Sequence, residues 1–238
     1  MYNIFYPLIN NKKKIYIATL TKDSNINDKN ITLEYIKNTE KEFFKYINFD
    51  MDKSIFMHQV HKDNIVKIDK FNISLYGGRN KVVKDTDALI TNIKYTPLII
   101  QTADCVPVIL YCDESRSMAA IHSGWRGSVQ NIVSKTINLM QKEYDANVKK
   151  MYAYIGPYIA QKDYEVGYEV AMYFKFKKFI NNKWYIDNGL EIKSQMLNCG
   201  ILENNIELTT LNTYDETFYS YRRYRNQIGR MLTLGIII

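Results

Sequence analysis

Residues 98–129 read LIIQTADCVPVILYCDESRSMAAIHSGWRGSV, and their pattern decides the fold class. Three short apolar runs, 98–102, 106–111 and 118–122, are broken by turn residues, and a fourth run at 88–91 precedes them. Runs this short, apolar on both faces and bounded by turns, are buried strands. The period then changes. From Val129 the apolar positions are 129, 132, 133, 137 and 140, the stripe of an amphipathic helix. Its start is marked by Gly124-Trp-Arg-Gly127, with Ser128 or Ser123 as cap. Four consecutive strands ahead of the main helix predict a mixed α/β or α+β domain, not a regular doubly wound sheet.

Working outward, Ile4, Phe5 and residues 15–20 read as two early strands, and 33–47 carries apolar residues at helical spacing. Residues 55–60 and 65–68 read as a strand pair around the turn His61-Lys-Asp-Asn64, and 70–84, with Gly77-Gly78, as an exposed polar loop. Towards the C-terminus, 151–155 is a strand stopped by Gly156-Pro157, and a helix follows Tyr164 over 170–179. Residues 194–199 belong to a helix stopped by Gly200, and 206–210, 218–221 and 231–238 supply the last strands. No repeat, low-complexity tract or linker divides the chain, so a single domain over 1–238 is expected.

Composition narrows the function classes. The 238 residues are 46% hydrophobic and 24% charged, ordinary globular values. No apolar run approaches the roughly 18–20 residues of a membrane span, and MYNIFYPLINNKKK lacks a signal-peptide core. Three scattered cysteines form no disulfide framework, which fits a cytoplasmic protein. The net charge of +7 comes from 25 lysines against 7 arginines, in a chain with 31 isoleucines, 15 leucines and 23 asparagines. This is a compositional drift with lysines strewn along the chain, so no nucleic-acid partner is expected. The scarce arginines say more. Arg126, Arg222, Arg223, Arg225 and Arg230, five of the seven, fall in two short segments, and the guanidinium fork suits phosphate or carboxylate.

The chemistry-bearing residues gather at predicted strand ends. The three histidines are His58, His61 and His122. His61 lies at a turn and is preferred over His58, because residues three apart on a strand face opposite ways. His122 ends a strand, and Cys105 sits where another breaks. Cys105, His61 and His122 offer one thiolate and two imidazoles, enough for Zn²⁺ with an open position for water. The same residues also read as a Cys105–His122 nucleophile pair or as plain structural groups. His122-Ser-Gly-Trp-Arg-Gly127 combines a strand end, a glycine turn at Gly124 and Gly127, a helix start and Arg126, an anion-binding arrangement or an ordinary turn. Tyr219-Ser-Tyr-Arg-Arg223, with Gly229-Arg230, is a second basic cluster or an edge strand with snorkelling arginines. Asp87, Asp104, Glu165 and Asp187 are each an acid/base group or a hydrogen-bonded turn acid.

Taken in order, Gln59-Val-His61, Asp87-Ala-Leu-Ile-Thr91, Thr102-Ala-Asp-Cys105 with Pro107-Val, His122-Ser-Gly-Trp-Arg-Gly127, Tyr154-Ile-Gly-Pro157, Tyr164-Glu-Val-Gly167, and Phe218-Tyr-Ser-Tyr-Arg-Arg223 with Gly229-Arg230-Met231 closely resemble the YfiH-type family. That family is also called laccase-domain or polyphenol-oxidase-like, and is described as multi-substrate purine nucleoside phosphorylase. The match runs in register from about residue 55 to the C-terminus. The resemblance implies a single layered α/β sandwich of the YfiH/CNF-like type, with the less typical residues 1–50 packed onto it. It implies Zn²⁺ held by His61, Cys105 and His122, with Cu²⁺ as the alternative. The implied activities are phosphorolysis of adenosine, inosine and methylthioadenosine to base plus (methylthio)ribose 1-phosphate, and hydrolytic deamination of adenosine. Copper-dependent polyphenol oxidation and editing of peptidoglycan precursors by Cys105 and His122 are the alternatives. Purine nucleosides and phosphate are then the partners, and a monomer or weak homo-oligomer the expected state. Asp104 and then Glu165 are the expected proton carriers, while Arg126 with the Gly124–Gly127 backbone, Ser220, Arg222 and Arg223 are expected around phosphate. The chain departs from the family pattern at Ser123, usually alanine, and at Asn212, usually cysteine. Near the N-terminal helix it has Lys41 and Lys45 where the family tends to carry an arginine.

Overall fold

A computed structural model describes residues 4–5, 15–20, 53–76, 82–225 and 229–238. Its elements begin with β1 (Ile4–Phe5), β2 (Ile15–Leu20), β3 (Ile55–Phe56), β4 (Ile65–Ile68), β5 (Ala88–Thr91), β6 (Leu98–Thr102), β7 (Val106–Cys112) and β8 (Ser117–Ser123). There follow α1 (Trp125–Val129), α2 (Ile132–Tyr144), β9 (Met151–Ile155), β10 (Glu165–Val166) and α3 (Tyr168–Ala171). The chain continues through β11 (Lys177–Ile180), β12 (Lys183–Ile186), α4 (Asn188–Asn198), β13 (Ile206–Leu208), α5 (Tyr221–Tyr224) and β14 (Met231–Ile237). A six-stranded sheet has the order β13-β9-β7-β8-β5-β4, a five-stranded sheet β1-β2-β14-β6-β3, and a small sheet β10-β12-β11. The mixed α/β class expected from residues 98–129 is what forms.

Strand alternation explains the layering. In β7, Val108 and Leu110 join Ala119 and Ile121 of β8 on one face, against Ile132, Val133, Ile137 and Met140 of α2 and Ile192 and Met196 of α4. The intervening Ile109 and Tyr111, with Met118 and Ala120, face the other way, onto Ile15, Ile17, Leu98 and Ile100 of the five-stranded sheet. The layers are therefore helix, sheet, sheet, and each fully buried aliphatic side chain contributes about 1.5–3 kcal/mol. Gly235 of β14 marks the close approach of the sheets, since a Cβ there would stand 2.8 Å from Met118 Sδ and 3.2 Å from Ile109. Among the described residues no helix is long and apolar enough to cross a membrane.

Several expected elements differ. The stripe beginning at Val129 is two helices, because Gln130 closes α1 and Asn131 turns left-handed (φ 59°) before α2. Val129 packs with Trp125 against Val170 and Phe174 rather than under the six-stranded sheet. Neither serine caps α1 through its side chain; Gly124 is the N-cap, and Ser123 Oγ and Ser128 Oγ bond each other at 2.8 Å. The helix expected over 170–179 is one turn followed by a hairpin. Val170, Ala171 and Phe174 bury together, and Asn181 and Asn182, both at positive φ, turn β11 into β12. Residues 218–221 are not a strand: Phe218 and Tyr219 bury against Met231, and Ser220 starts α5. The pair read around His61 is split, since β3 joins β6 in one sheet and β4 joins β5 in the other. The expected helix over 33–47, with Lys41 and Lys45, and the glycines 77–78 lie outside the described residues.

Candidate metal centre

Strand register assembles the site. Val106 of β7 pairs Ser123 of β8, so Cys105, one residue earlier, arrives beside Gly124. Ala88 of β5 pairs Ile121, so Asp87, one residue earlier, arrives beside His122. Asp87 then does two jobs, although its place in the sequence reads equally as a turn acid. Its Oδ1 accepts from His122 Nδ1 at 2.8 Å and from the His61 N–H at 2.9 Å. Its Oδ2 accepts from the N–H groups of Val60 at 3.2 Å and Lys62 at 2.9 Å. One buried carboxylate thus orients the His122 ring and holds the loop on which His61 turns left-handed at φ 59°.

His61, Cys105 and His122 come together, as the sequence predicts, with their ligand atoms all within 4.8 Å of one another. Ligands around one tetrahedral ion stand roughly 3.3–3.8 Å apart, so the group would contract somewhat on binding one. His122 is buried, Cys105 half-buried and His61 exposed, so the group is closed beneath and open towards solvent. Gly124 completes the cradle: a Cβ there would stand 3.1 Å from Cys105 Sγ and 3.2 Å from His61 Cδ2. The donor set and its supporting carboxylate fit a single metal ion. Burial opposes ionisation of Cys105, but the charge on His122 and hydrogen bonds from His122 and His61 outweigh it and hold the thiol at about 6. Burial likewise opposes charge on His122, which the Cys105 thiolate and Asp87 push up to about 9. Burial would raise Asp87, yet the His122 and backbone bonds keep it below its ordinary 3.8.

A cavity of about 1280 Å³ opens over this group. Arg126, Arg222 and Arg230 line it, together with Trp125, Tyr164 and Val170. The Arg126 guanidinium stacks 4.4 Å from the Trp125 ring. The other expected anion ligands are placed elsewhere. Gly127 and Ser220 are buried and do not line the cavity; Gly127 backs onto the Lys62 carbonyl, and Ser220 Oγ caps α5 by accepting from the Arg223 N–H at 3.2 Å. Arg223 ties its own loop together, donating to the carbonyls of Tyr214, Asp215 and Phe218 at 2.6, 2.9 and 3.0 Å. Gly124 lies against Cys105 and His61 and is not among the residues lining the cavity. His58 also lines the cavity but stands outside the ligand group, bonding Asp85 at 3.1 Å. Of the expected proton carriers, Glu165 pairs with Lys183 Nζ at 2.8 Å, and Asp104 accepts from Thr213 Oγ1 at 2.7 Å and the Arg222 N–H at 2.6 Å. Asn212 explains its own departure from the family pattern. It donates to Asp163 at 2.7 Å and accepts from the N–H groups of Ala160 and Tyr214, a set no thiol supplies.

The family described as multi-copper polyphenol oxidoreductase laccase matches residues 19–238. The chain belongs to this family. It is 35% identical over 193 residues to a purine nucleoside phosphorylase of Bacteroides thetaiotaomicron, covering 76% of this chain and 71% of the relative. A second relative, a purine nucleoside phosphorylase of Campylobacter jejuni, is 32% identical over 225 residues, 92% of this chain and 90% of its own. A third, the adenosine deaminase RL5 of an unknown prokaryote, is 29% identical over 200 residues, 79% of this chain and 76% of that protein. The laccase-type fold is shared with the crystal structure of the Bacillus licheniformis hypothetical protein YfiH. That comparison has a TM-score of 0.85 at 23% identity, over 94% of this chain and 93% of the other.

Proposed function

We propose that the chain is a zinc-dependent purine nucleoside phosphorylase, taking adenosine, inosine or methylthioadenosine with phosphate. The observation that carries the reading is the His61–Cys105–His122 group lying in the floor of a cavity lined by three arginines. The names of the Bacteroides and Campylobacter relatives support it. One thiolate and two imidazoles suit zinc with an open position, and the ion would supply a fixed positive charge and Lewis acidity at the cavity floor. A multi-copper centre asks for more ligands than the chain's three histidines and three cysteines provide. His58 is turned to Asp85, Cys112 is buried with its thiol towards the Asn147 carbonyl, and Cys199 caps α4.

In phosphorolysis a phosphate oxygen bonds the sugar C1′ as the C1′–N bond to the base breaks, and the base leaves with a proton on a ring nitrogen. The guanidinium groups of Arg126 and Arg222 would hold phosphate and balance its charge, with Arg230 on the same wall. The faces of Trp125 and Tyr164 would confine the purine. Glu165 and Asp104 are the carboxylates lining the cavity among the described residues; both Asp104 oxygens hold donors, whereas Glu165 is bound to Lys183 through one oxygen, Oε2. We assign it the proton delivered to the departing base. The same open metal position supports a second reading, hydrolytic deamination of adenosine, favoured by the RL5 relative.

The test is chromatography of adenosine incubated with zinc-loaded protein, with and without phosphate, beside Cys105→Ala. Adenine forming only with phosphate is the expected result, inosine without phosphate would establish the second reading, and both should vanish in the variant. Turnover by metal-free Cys105→Ala, or none by the wild type, would overturn the proposal.

A further inference from the structure

Between β6 and β7 the chain reverses at Ala103-Asp104-Cys105, and Asp104 makes the turn at φ 87°. Asp tolerates positive φ better than most residues because its short side chain bonds locally. Here the bonds are long-range. Oδ1 accepts from Thr213 Oγ1 at 2.7 Å, across 109 positions, and Oδ2 accepts from the Arg222 N–H at 2.6 Å, across 118. Its carbonyl oxygen accepts from the Ile159 N–H at 3.1 Å. The residue covalently next to it is Cys105. Arg222 is held at its other end as well, donating from Nη1 to the Glu165 carbonyl at 2.7 Å with its guanidinium 5.5 Å from the centre of the Tyr164 ring.

We infer that Asp104 is a positioning residue that fixes the anion-binding Arg222 relative to the metal-ligating Cys105. The inference rests on reading the cavity as a phosphate and nucleoside site. Asp104 thereby joins the metal end of the site to the phosphate end. Mutating Asp104 should therefore move phosphate recognition before it moves chemistry.

Two variants separate the roles. Asp104→Gly removes both acceptors at a backbone angle that glycine adopts freely. Asp104→Asn keeps both bonds, with its amide oxygen towards the Arg222 N–H and its amide hydrogen towards Thr213 Oγ1, yet has no ionisable proton. With zinc content checked in each protein, Asp104→Gly should raise the KM for phosphate about tenfold or more and lower kcat far less. Asp104→Asn should bring that KM back to within a few-fold of wild type. The inference is overturned if both variants lose kcat about a hundredfold at unchanged phosphate KM and one limb of the pH–rate profile disappears, the signature of a lost acid or base. It is also overturned if Asp104→Gly matches wild type. Should the wild type fail to phosphorolyse adenosine, the functional reading falls separately. Titration of the zinc-loaded proteins with inorganic phosphate then decides the inference: weaker binding by Asp104→Gly than by wild type and Asp104→Asn upholds it, and equal binding, or binding by none, refutes it.

Discussion

Gly124→Ala isolates the geometry of the metal centre from the stability of the fold. The backbone at Gly124 (φ −73°, ψ 172°) is open to alanine, so the glycine is not demanded by its own conformation. What forbids a side chain is the ligand group, because the added methyl would sit 3.1 Å from Cys105 Sγ and 3.2 Å from His61 Cδ2. Against a normal contact of about 3.5 Å, the ligands must retreat by roughly 0.3–0.4 Å. Metal sites tolerate deviations of about 0.2 Å in their bonds, so a displacement of this size falls on affinity. Lost orientation of ligands typically weakens binding about 10–100-fold, equivalent to roughly 1.4–2.8 kcal/mol. The metal-free protein should melt within a degree or two of wild type, since the methyl disturbs a half-open surface group and removing glycine restricts the unfolded chain. The assay is competition for zinc against a chromophoric chelator, with melts of the metal-free proteins alongside. Zinc affinity within twofold of wild type would refute the reasoning, because the cradle would then be looser than its distances state. A large fall in the metal-free melting temperature would refute it differently, by making Gly124 a packing residue.

Two further outcomes concern protons. With the Cys105 thiol at about 6 and His122 pushed up to about 9, zinc must displace from this pair one proton between pH 6 and 9, two below pH 6 and none above 9. A plot of log affinity against pH should therefore rise with unit slope from 6 to 9, steepen below and flatten above, and a flat plot from 7 to 9 would contradict the thiolate–imidazolium pair. Asp87 is held below its ordinary 3.8, so its contribution to stability is present above that pH and is lost as pH falls through its lower folded value. Urea unfolding of metal-free protein between pH 3 and 7 should show that loss. Asp87→Asn, which leaves one acceptor oxygen where four donors converge, should reduce stability at pH 7 by roughly 2 kcal/mol or more and flatten the acid limb; an unchanged limb would assign the loss to another group.

The strands were legible because each rests on local pattern, whereas the metal trio shares no short motif and was legible chiefly through the resemblance of the ordered segments to the family. Runs such as 106–111 and 118–122 declare burial on both faces; their pairing across a short turn delivers Cys105 to Gly124, while β5 beside β8 delivers Asp87 to His122. The split of the predicted helix was readable less directly. Val129 fits the helical stripe numerically, and only the left-handed Asn131 reveals that it belongs to the Phe174 cluster. The paired asparagines 181–182 were a usable hairpin signal that the apolar count over 170–179 concealed.

Roles within the site were the least legible, and the reason is the same for each residue. Arg222 and Arg223 are neighbours of one type on a single short helix, yet Arg222 reaches across to the Glu165 carbonyl while Arg223 is spent on the carbonyls of residues 214–218. Asp104 and Asp87 likewise stand at strand ends beside metal-ligating residues. One draws in Thr213 and Arg222 from more than a hundred positions away, and the other holds the loop of His61 and the ring of His122. An ionisable side chain does whatever its hydrogen-bond partners leave it free to do, and those partners are chosen by topology, not by spacing. The residues that remain uncommitted in the cavity are therefore the better guide to its chemistry. Arg126, stacked on Trp125, and His61, exposed and grouped with Cys105, line the same cavity and offer a charge and a ligand towards one opening. That shared direction is what an anion and a nucleoside require if they are to meet over one metal ion.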